Sequence, residues 1–193
     1  MNISGKNIGF ALTGSFCTFE RAFQQMEQLV SLGANVLPIF SYSPQEMECR
    51  FGSYETFLTK AETIAKRKPI LTLAQAEPIG PKGMIDLLLI APCTGNTMSK
   101  LSHAITDTPV LLAAKSQLRT EKPVVLSISS NDNLGLNFKN LGLLYSTKHI
   151  FFVPFGQDDS ETKPNSLVAH MDLIVPTIEL ALEEKQIQPV LLA

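Results

Sequence analysis

The feature that most constrains the fold is a short, uninterrupted apolar run, Leu87 to Ala91, that ends abruptly in small and polar residues. Asp86 precedes the run, and the sequence PCTGNT, residues 92–97, follows it. A strand covered on both faces, as in a parallel sheet, has this continuous apolar character, whereas a buried helix would have to be longer. The break therefore predicts a strand end followed by a helix start, which is where open parallel sheets bind ligands.

The same alternation of strand and helix patterns continues along the chain. Strands are predicted at Asn7–Leu12, Asn35–Phe40, Asp86–Ala91, Pro123–Ile128 and Ile150–Val153, and a further short strand is compatible with Ile70 and Leu71. Helices are predicted at Thr18–Leu32, Tyr54–Lys66, Thr97–His103, Val110–Arg119, Asn137–Tyr145 and Leu167–Lys185, the last broken or bent at Pro176. Because crossover connections are right-handed in nearly all cases, we expect a doubly wound α/β fold. It would be one domain over residues 1–193, with a mainly parallel, Rossmann-like sheet and helices on both faces.

Composition excludes several classes of function. The 193 residues are 45% hydrophobic and 18% charged, which is typical of a globular protein. The net charge is −2, and the densest cationic cluster, Lys66 to Lys68, fits a solvated helix end, so we expect no nucleic acid and no anionic membrane as partner. The apolar stretch near the N-terminus is too short for a signal peptide or a membrane span, which predicts a cytoplasmic protein.

The cysteines and histidines do not form a recognisable ligand pattern. Three cysteines occur without Cys-x-x-Cys spacing, and the three histidines are equally scattered. Because a metal site needs several ligands in convergent positions, we expect no metal and no disulfide framework. Cys93 is of interest only because it lies inside the break after Ala91.

Small polar residues follow four of the predicted strands, at the point where each strand ends. These exits are Thr13-Gly14-Ser15, Ser41-Tyr42-Ser43, Pro92 to Thr97 and Ser129 to Asn133. In a parallel sheet such loops share one edge, where free N–H groups at helix starts favour an anion such as a phosphate. Each loop taken alone is more typical of helix capping and nothing more. Their coincidence on one edge favours a nucleotide-type ligand.

The type of nucleotide is limited by what the first two exits contain. Gly14 is not part of a Gly-x-Gly-x-x-Gly sequence, and no acidic residue ends the second strand to hold a ribose. Both observations disfavour NAD on this chain. A mononucleotide whose terminal phosphate contacts Gly14, Ser15 and Ser41 fits better, and flavin mononucleotide (FMN) is the candidate cofactor.

These segments resemble a family of FMN-binding proteins that includes the homo-oligomeric flavin-containing cysteine decarboxylases and the flavin prenyltransferases. The resemblance covers nearly the whole chain and rests on Thr13-Gly14-Ser15, the segment Asp86 to Thr97, and Lys100, Ile105 and Asp107. It implies that the flavin-ring loop consists of Pro92, Cys93, Thr94, Gly95, Asn96 and Thr97. Gly95 would let the ring approach closely, and Asn96 and Thr97 would donate hydrogen bonds. Thr13, Gly14, Ser15 and Ser41 complete the predicted cofactor site.

The family resemblance also implies a homo-oligomer, with Phe16 to Phe19 as the candidate contact. Two departures separate the chain from the decarboxylase branch. That branch has a catalytic histidine ahead of the strand before the flavin loop, whereas this chain has none before His103. Of the branch's Pro-x-Met-Asn motif, only Asn131 remains.

A closer resemblance, through Phe16 to Phe19, Cys93 to Thr97 and Ser129 to Gly135, is to one component of a two-subunit oxidoreductase in this family. It implies a partner subunit that brings NAD(P), and a small dicarboxylate substrate that is oxidised to an aromatic ring. Ser129, Ser130 and Asn131 are the candidate substrate contacts, and the catalytic residues are unassigned. Two alternatives stay open: an FMN-dependent decarboxylase and a non-catalytic scaffold for the partner subunit.

Overall fold

The computed structural model describes residues 3–46 and 49–192. Its sheet has seven strands. They are β1 (Asn7–Leu12), β2 (Asn35–Phe40), β3 (Leu87–Cys93), β4 (Val124–Ser130), β5 (Ile150–Phe152), β6 (Phe155–Asp159) and β7 (Lys163–Ala169). The helices are α1 (Phe19–Ser31), α2 (Ser43–Glu46), α3 (Tyr54–Ala65), α4 (Leu73–Ala76), α5 (Gly95–Ser102), α6 (Pro109–Arg119), α7 (Phe138–Tyr145) and α8 (Ile174–Ala181).

The sheet order is β2-β1-β3-β4-β7-β6, and β5 pairs with β4 outside this path. The first five strands pair in parallel, whereas β7 pairs antiparallel with both β4 and β6. Helices α1 and α8 contact each other beside the sheet, and α5 contacts both α6 and α7. The predicted α/β fold with a mainly parallel sheet is therefore confirmed.

Capping side chains, one of them at a predicted strand exit, fix where three of the helices begin. Thr94 and Thr108 accept hydrogen bonds from backbone N–H groups three residues later, which caps α5 and α6. Ser53 caps α3 in the same way. Because a helix start leaves its first N–H groups without partners, these side chains stabilise each helix by about 1 kcal/mol.

The predicted helix Leu167–Lys185 is wrong in its first third. Residues 163–169 form β7, a 3-10 turn follows at Met171–Leu173, and the α-helix occupies only Ile174–Ala181. Pro176 lies in the first turn of α8, where a missing N–H costs nothing, so it neither breaks nor bends the helix. Short apolar runs fit a helix or a strand equally well, and here the pairing with β4 and β6 decides.

Strand β4 pairs with β3 on one side, and on its other side it pairs with two different strands. Val124 to Leu126 pair in parallel with β5, whereas Ser129 and Ser130, at the carboxyl end, pair antiparallel with β7. Ser166 Oγ adds a hydrogen bond to the Ser130 carbonyl. The β6–β7 hairpin therefore joins the sheet at the carboxyl end of β4, next to the polar strand exits.

On the open sides of the outer strands, other parts of the chain form hydrogen bonds with backbone groups that have no neighbouring strand. Beside β2, the Ile70 N–H donates to the Pro38 carbonyl, and Ile70 forms the isolated bridge that replaces the short strand compatible with residues 70–71. Beside β5, the Gln186 side-chain amide bonds both the N–H and the carbonyl of Phe152. Beside β6, backbone bonds join Phe155 to residues 190 and 192.

The hydrophobic core surrounds the central strands, and every residue of β3 is buried. Of the predicted contact surface at Phe16 to Phe19, Phe19 and Thr18 are buried, whereas Cys17 is exposed. Phe19 is 1% exposed and lies 4.8 Å, ring centre to ring centre, from Phe57, while Phe16 is half-buried against both rings. Packing within the chain therefore makes Phe19 unavailable for contact with another chain.

Candidate functional site

A cleft of about 810 Å³ lies at the carboxyl edge of β1, β3 and β4. The β6–β7 hairpin forms its further wall. Its lining residues are Gly14, Ser15, Cys17, Thr18, Arg21, Thr94, Gly95, Asn96, Ser129, Ser130, Asn131, Asp132, Asn137, Asp158, Lys163, Ser166 and Val168. The volume is in the range of pockets that hold cofactors and small substrates, of about 300–1,000 Å³.

The cleft brings together three of the four predicted exits. The predicted residues in its wall are Gly14, Ser15, Thr94, Gly95, Asn96, Ser129, Ser130 and Asn131. The predicted residues outside the wall are Thr13, Ser41, Pro92, Cys93 and Thr97. Ser41 is buried at the end of β2, while its neighbour Ser43 lies against Gly14. A direct contact between Ser41 and a phosphate stays a prediction.

Two hydroxyl contacts hold the strand exits in register. The buried Thr13 hydroxyl donates to the Pro92 carbonyl over 2.7 Å and accepts from the Thr94 N–H over 3.1 Å. Ser15 Oγ lies 2.8 Å from Ser129 Oγ. Thr13 therefore connects the exit of β1 to that of β3, and Ser15 connects it to that of β4.

At the β3 exit, two of the predicted flavin-loop residues are used for capping. Thr94 Oγ1 accepts from the Thr97 N–H and lies 3.0 Å from the Thr97 hydroxyl, which is buried. Asn96 is exposed in the cleft wall. Thr94 therefore caps α5 through the Thr97 N–H, and Asn96 offers an exposed polar side chain to a ligand. A flavin contact by Thr94 or Thr97 stays a prediction.

Because Gly95 has no side chain, other side chains of the protein approach it closely. A Cβ atom there would lie 2.5 Å from Ser130 Oγ, 2.7 Å from Asn137 Nδ2 and 2.7 Å from Asp132 Oδ1. Real Cβ atoms are not found that close to other heavy atoms. The loop after β4 thus packs directly on the first residue of α5, a reason for glycine that the sequence did not reveal.

That loop is held by a chain of polar contacts. Ser130 Oγ donates to Asp132 Oδ1 over 2.6 Å, and Asn137 Nδ2 donates to Asp132 Oδ2 over 2.7 Å. Asn140 then donates to Asn137 Oδ1, and Ser102 Oγ donates to Asn140 Oδ1. Asp132 and Asn137 line the cleft but were not among the predicted site residues. Only the folded loop places them beside Ser130.

The cleft also holds charges that the sequence pattern did not single out. Arg21 comes from the first turn of α1, and Lys163 comes from the hairpin, where it forms a 2.7 Å ion pair with Asp158. The hydrogen bond that Lys163 donates to the Asp158 carboxylate is the main cause that raises the pKa of Lys163. Asp132 supplies a carboxylate on the side of α5. The predicted site, by contrast, contained only uncharged donors.

Cys93 belongs to the hydrophobic core. It is fully buried in β3, and burial raises the pKa of its thiol, so the reactive thiolate is strongly disfavoured. All three cysteines are free thiols. Across residues 3–46 and 49–192, no group of three or more His, Cys, Asp or Glu side chains could hold a metal ion. In the same part of the chain, no helix has the length and apolar character needed to cross a membrane.

A mainly parallel α/β sheet with a cleft at its carboxyl edge is characteristic of nucleotide-binding proteins. A family model described as Flavoprotein matches residues 1–178, and the chain belongs to that family.

Within the family, the chain is similar to the B subunit of dipicolinate synthase from Bacillus subtilis (strain 168). The two are 52% identical over 190 residues, which cover 98% of this chain and 95% of the relative. A crystal structure of the dipicolinate synthase B subunit from Bacillus halodurans superposes with a TM-score of 0.92 at 48% identity, over 100% of this chain and 99% of that one. The FMN-binding protein AtHal3 has a TM-score of 0.67 at 17% identity, over 94% of this chain and 99% of its own, which shows the shared fold.

Proposed function

We propose that this chain acts as the B subunit of a dipicolinate synthase, in the cytoplasm of the mother cell of a sporulating bacterium. The observation that carries the proposal is the 52% identity over almost the full length of both chains. With the A subunit of that enzyme, it oxidises dihydrodipicolinate, or a hydrated precursor that also loses water, to dipicolinate. The ring loses one hydride and one proton. The hydride goes to NAD(P)⁺ held by the A subunit or to a flavin, and the proton goes to solvent.

The cleft supports FMN as the cofactor of this chain. It has room for a mononucleotide, and hydroxyl and amide donors line it at three strand exits. Gly14 and Ser15, directly before the helical segment that starts at Phe16, would hold the phosphate, and Asn96 would bond the ring or the ribityl chain. Bound FMN would supply a two-electron acceptor. The family membership agrees with this assignment.

The substrate would lie against the β4 exit. Ser129, Ser130 and Asn131 line the cleft there, and a carboxylate held by neutral donors gains about 1.5–3 kcal/mol for each hydrogen bond. Of these three, Asn131 is the exposed one. Ser129 is already bonded to Ser15, and Ser130 to Asp132, so Asn131 is the side chain most able to turn toward a substrate.

A cofactor titration tests the first part of the proposal. FMN added to the purified chain should give a saturable change in the flavin spectrum. Ser15→Asp should weaken binding at least tenfold, because it places a negative charge beside the phosphate. Ser53→Asp is the control, since it adds the same charge at a helix start that tolerates aspartate. Absence of FMN binding at saturation, or equal affinity in both variants, would contradict this assignment.

Reconstitution tests the reaction itself. The synthase's A subunit, NAD(P)⁺ and dihydrodipicolinate are combined with and without this chain, and dipicolinate formation is measured. We expect formation to require both proteins. Full activity in the absence of this chain would contradict the proposal.

A scaffold function is the second candidate, and one observation favours it. Exposed apolar side chains are concentrated in the loop after β4 and on α7, namely Leu134, Leu136, Phe138, Leu143 and Tyr145. Patches of this kind mark protein contacts. If activity requires the chain but survives both Ser15→Asp and Asn131→Ala, the chain serves as a scaffold. No comparable feature favours a decarboxylase, because the chain has no histidine before His103.

A further inference from the structure

Some charged side chains of the cleft already have an ion-pair or hydrogen-bond partner within the protein, and one has no ion-pair partner among the described residues. Lys163 pairs with Asp158 at 2.7 Å, and both oxygens of Asp132 accept hydrogen bonds, from Ser130 and Asn137. Arg21, by contrast, forms no ion pair within residues 3–46 and 49–192. The cleft therefore contains one cation whose charge is not balanced by a neighbouring carboxylate.

Arg21 lies in the first turn of α1, a few residues after the exit of β1. Cys17, Thr18 and Arg21 line the cleft together, so the wall continues from the exit of β1 into the first turn of α1. Lys163, from the hairpin, lines the same cleft. A ligand that lies against Ser15 and Ser129 is thus flanked by Arg21 and by the hairpin.

We propose that Arg21 binds a carboxylate of the dicarboxylate substrate and so determines specificity for a dianion. A guanidinium presents two parallel N–H donors that match the two oxygens of a carboxylate, and this geometry selects planar anions better than an ammonium does. Asn131, at the β4 exit, contacts the other carboxylate. The assignment rests on the proposed function, because that function supplies the dicarboxylate.

The chemistry distinguishes a substrate carboxylate from the FMN phosphate, the other anion that could reach Arg21. Gly14 and Ser15, directly before the helical segment, line the cleft and are the proposed phosphate contacts. Arg21 lies beyond them in the first turn of α1 and also lines the cleft. The cation is therefore not needed for the phosphate, and it is available to the second ligand.

Equilibrium binding to the purified chain tests the assignment without turnover. Dipicolinate and picolinate, which has one carboxylate, are titrated by calorimetry in buffer free of divalent cations, because dipicolinate chelates them. We expect the wild type to prefer dipicolinate. Arg21→Gln should weaken dipicolinate at least tenfold and abolish the preference over picolinate. Arg21→Lys should lie between the two, because it keeps the charge but loses the paired donors.

Arg67→Gln is the matched control, because Arg67 is exposed and does not line the cleft. It should leave both affinities unchanged. FMN affinity is measured in the same variants and should not respond to Arg21→Gln. A loss of FMN affinity with unchanged dipicolinate binding would assign Arg21 to the phosphate and overturn the inference.

The two proposals fail in different ways. If the wild-type chain binds dipicolinate, alone or in complex with the partner protein of the synthase, and Arg21→Gln binds it equally well, only the assignment of Arg21 is refuted. If dipicolinate binds neither to the wild-type chain nor to that complex, the substrate of the proposed function is wrong, and the assignment of Arg21 fails with it.

Discussion

Replacement of Gly95 by alanine is the sharpest test of how the cleft is built. The added methyl carbon would lie 2.5 Å from Ser130 Oγ and 2.7 Å from both Asn137 Nδ2 and Asp132 Oδ1. The Ser130 and Asn137 side chains cannot simply rotate away, because each donates a short hydrogen bond to the Asp132 carboxylate. The loop after β4 must therefore shift, or one of these bonds must break.

The expected cost follows from these contacts. A hydrogen bond to a charged group contributes about 1.5–3 kcal/mol, and overpacking a filled site costs about 1–3 kcal/mol. Alanine restricts the unfolded chain more than glycine does, which offsets about 0.4–1 kcal/mol. We expect Gly95→Ala to lower the free energy of unfolding by about 1–3 kcal/mol.

Gly142→Ala is the control because it makes the same chemical change where there is space. Gly142 lies within α7, is exposed, and has nothing within 4 Å of the position of a new Cβ. It should raise the free energy of unfolding by about 0.4–1 kcal/mol. Urea unfolding followed by circular dichroism measures both variants. If Gly95→Ala is as stable as Gly142→Ala, the loop does not pack on α5 as described.

Four further predictions concern other parts of the molecule. Thr13→Val should lower the free energy of unfolding by about 1–3 kcal/mol in the same assay, because it leaves the Thr94 N–H without an acceptor, while Thr13→Ser should keep most of that stability. In native protein a thiol reagent should modify the exposed Cys17 and spare the buried Cys93 until urea unfolds the chain; fast labelling of Cys93 would contradict its burial. Leu136→Glu, at an 86% exposed side chain, should shift any oligomer toward monomer in light scattering without altering thermal stability. Asn131→Ala should lower kcat/KM of the two-subunit enzyme at least tenfold, or about 1.4 kcal/mol, with an unchanged unfolding curve.

The parts of the fold that could be predicted are those in which local pattern and burial agree. The run from Leu87 to Ala91 is apolar throughout because β3 is buried on both faces. The exits after β1, β3 and β4 were predictable for the same reason, since the change from apolar to small polar residues marks the end of each strand.

The hairpin could not be predicted, because its second strand, KPNSLVA, has no alternating pattern and is specified by long-range pairing with Ser129 and Ser130. The unpredicted hairpin changed the predicted site more than the predicted fold. Lys163 reaches the cleft only through that hairpin, and Arg21 only through the direction in which α1 leaves the exit of β1. A sequence pattern can identify the polar residues next to a strand exit. Cationic side chains that other segments contribute to the site can be identified only from the tertiary structure.

The contacts at the outer strands limit how chains of this kind can associate. An open strand edge is a template for another chain, and unprotected edges lead to fibrillar aggregation. At the edge of β2, the Ile70 N–H bonds to the Pro38 carbonyl. Beside β5, the Gln186 side chain bonds to both backbone groups of Phe152, as a neighbouring strand would. Residues 190 and 192 cover the start of β6. Asp158 and Asp159 place negative charge on the rest of that last strand. Continuous sheets that run from one copy into the next are disfavoured at these edges, so any ordered assembly must form through side-chain surfaces.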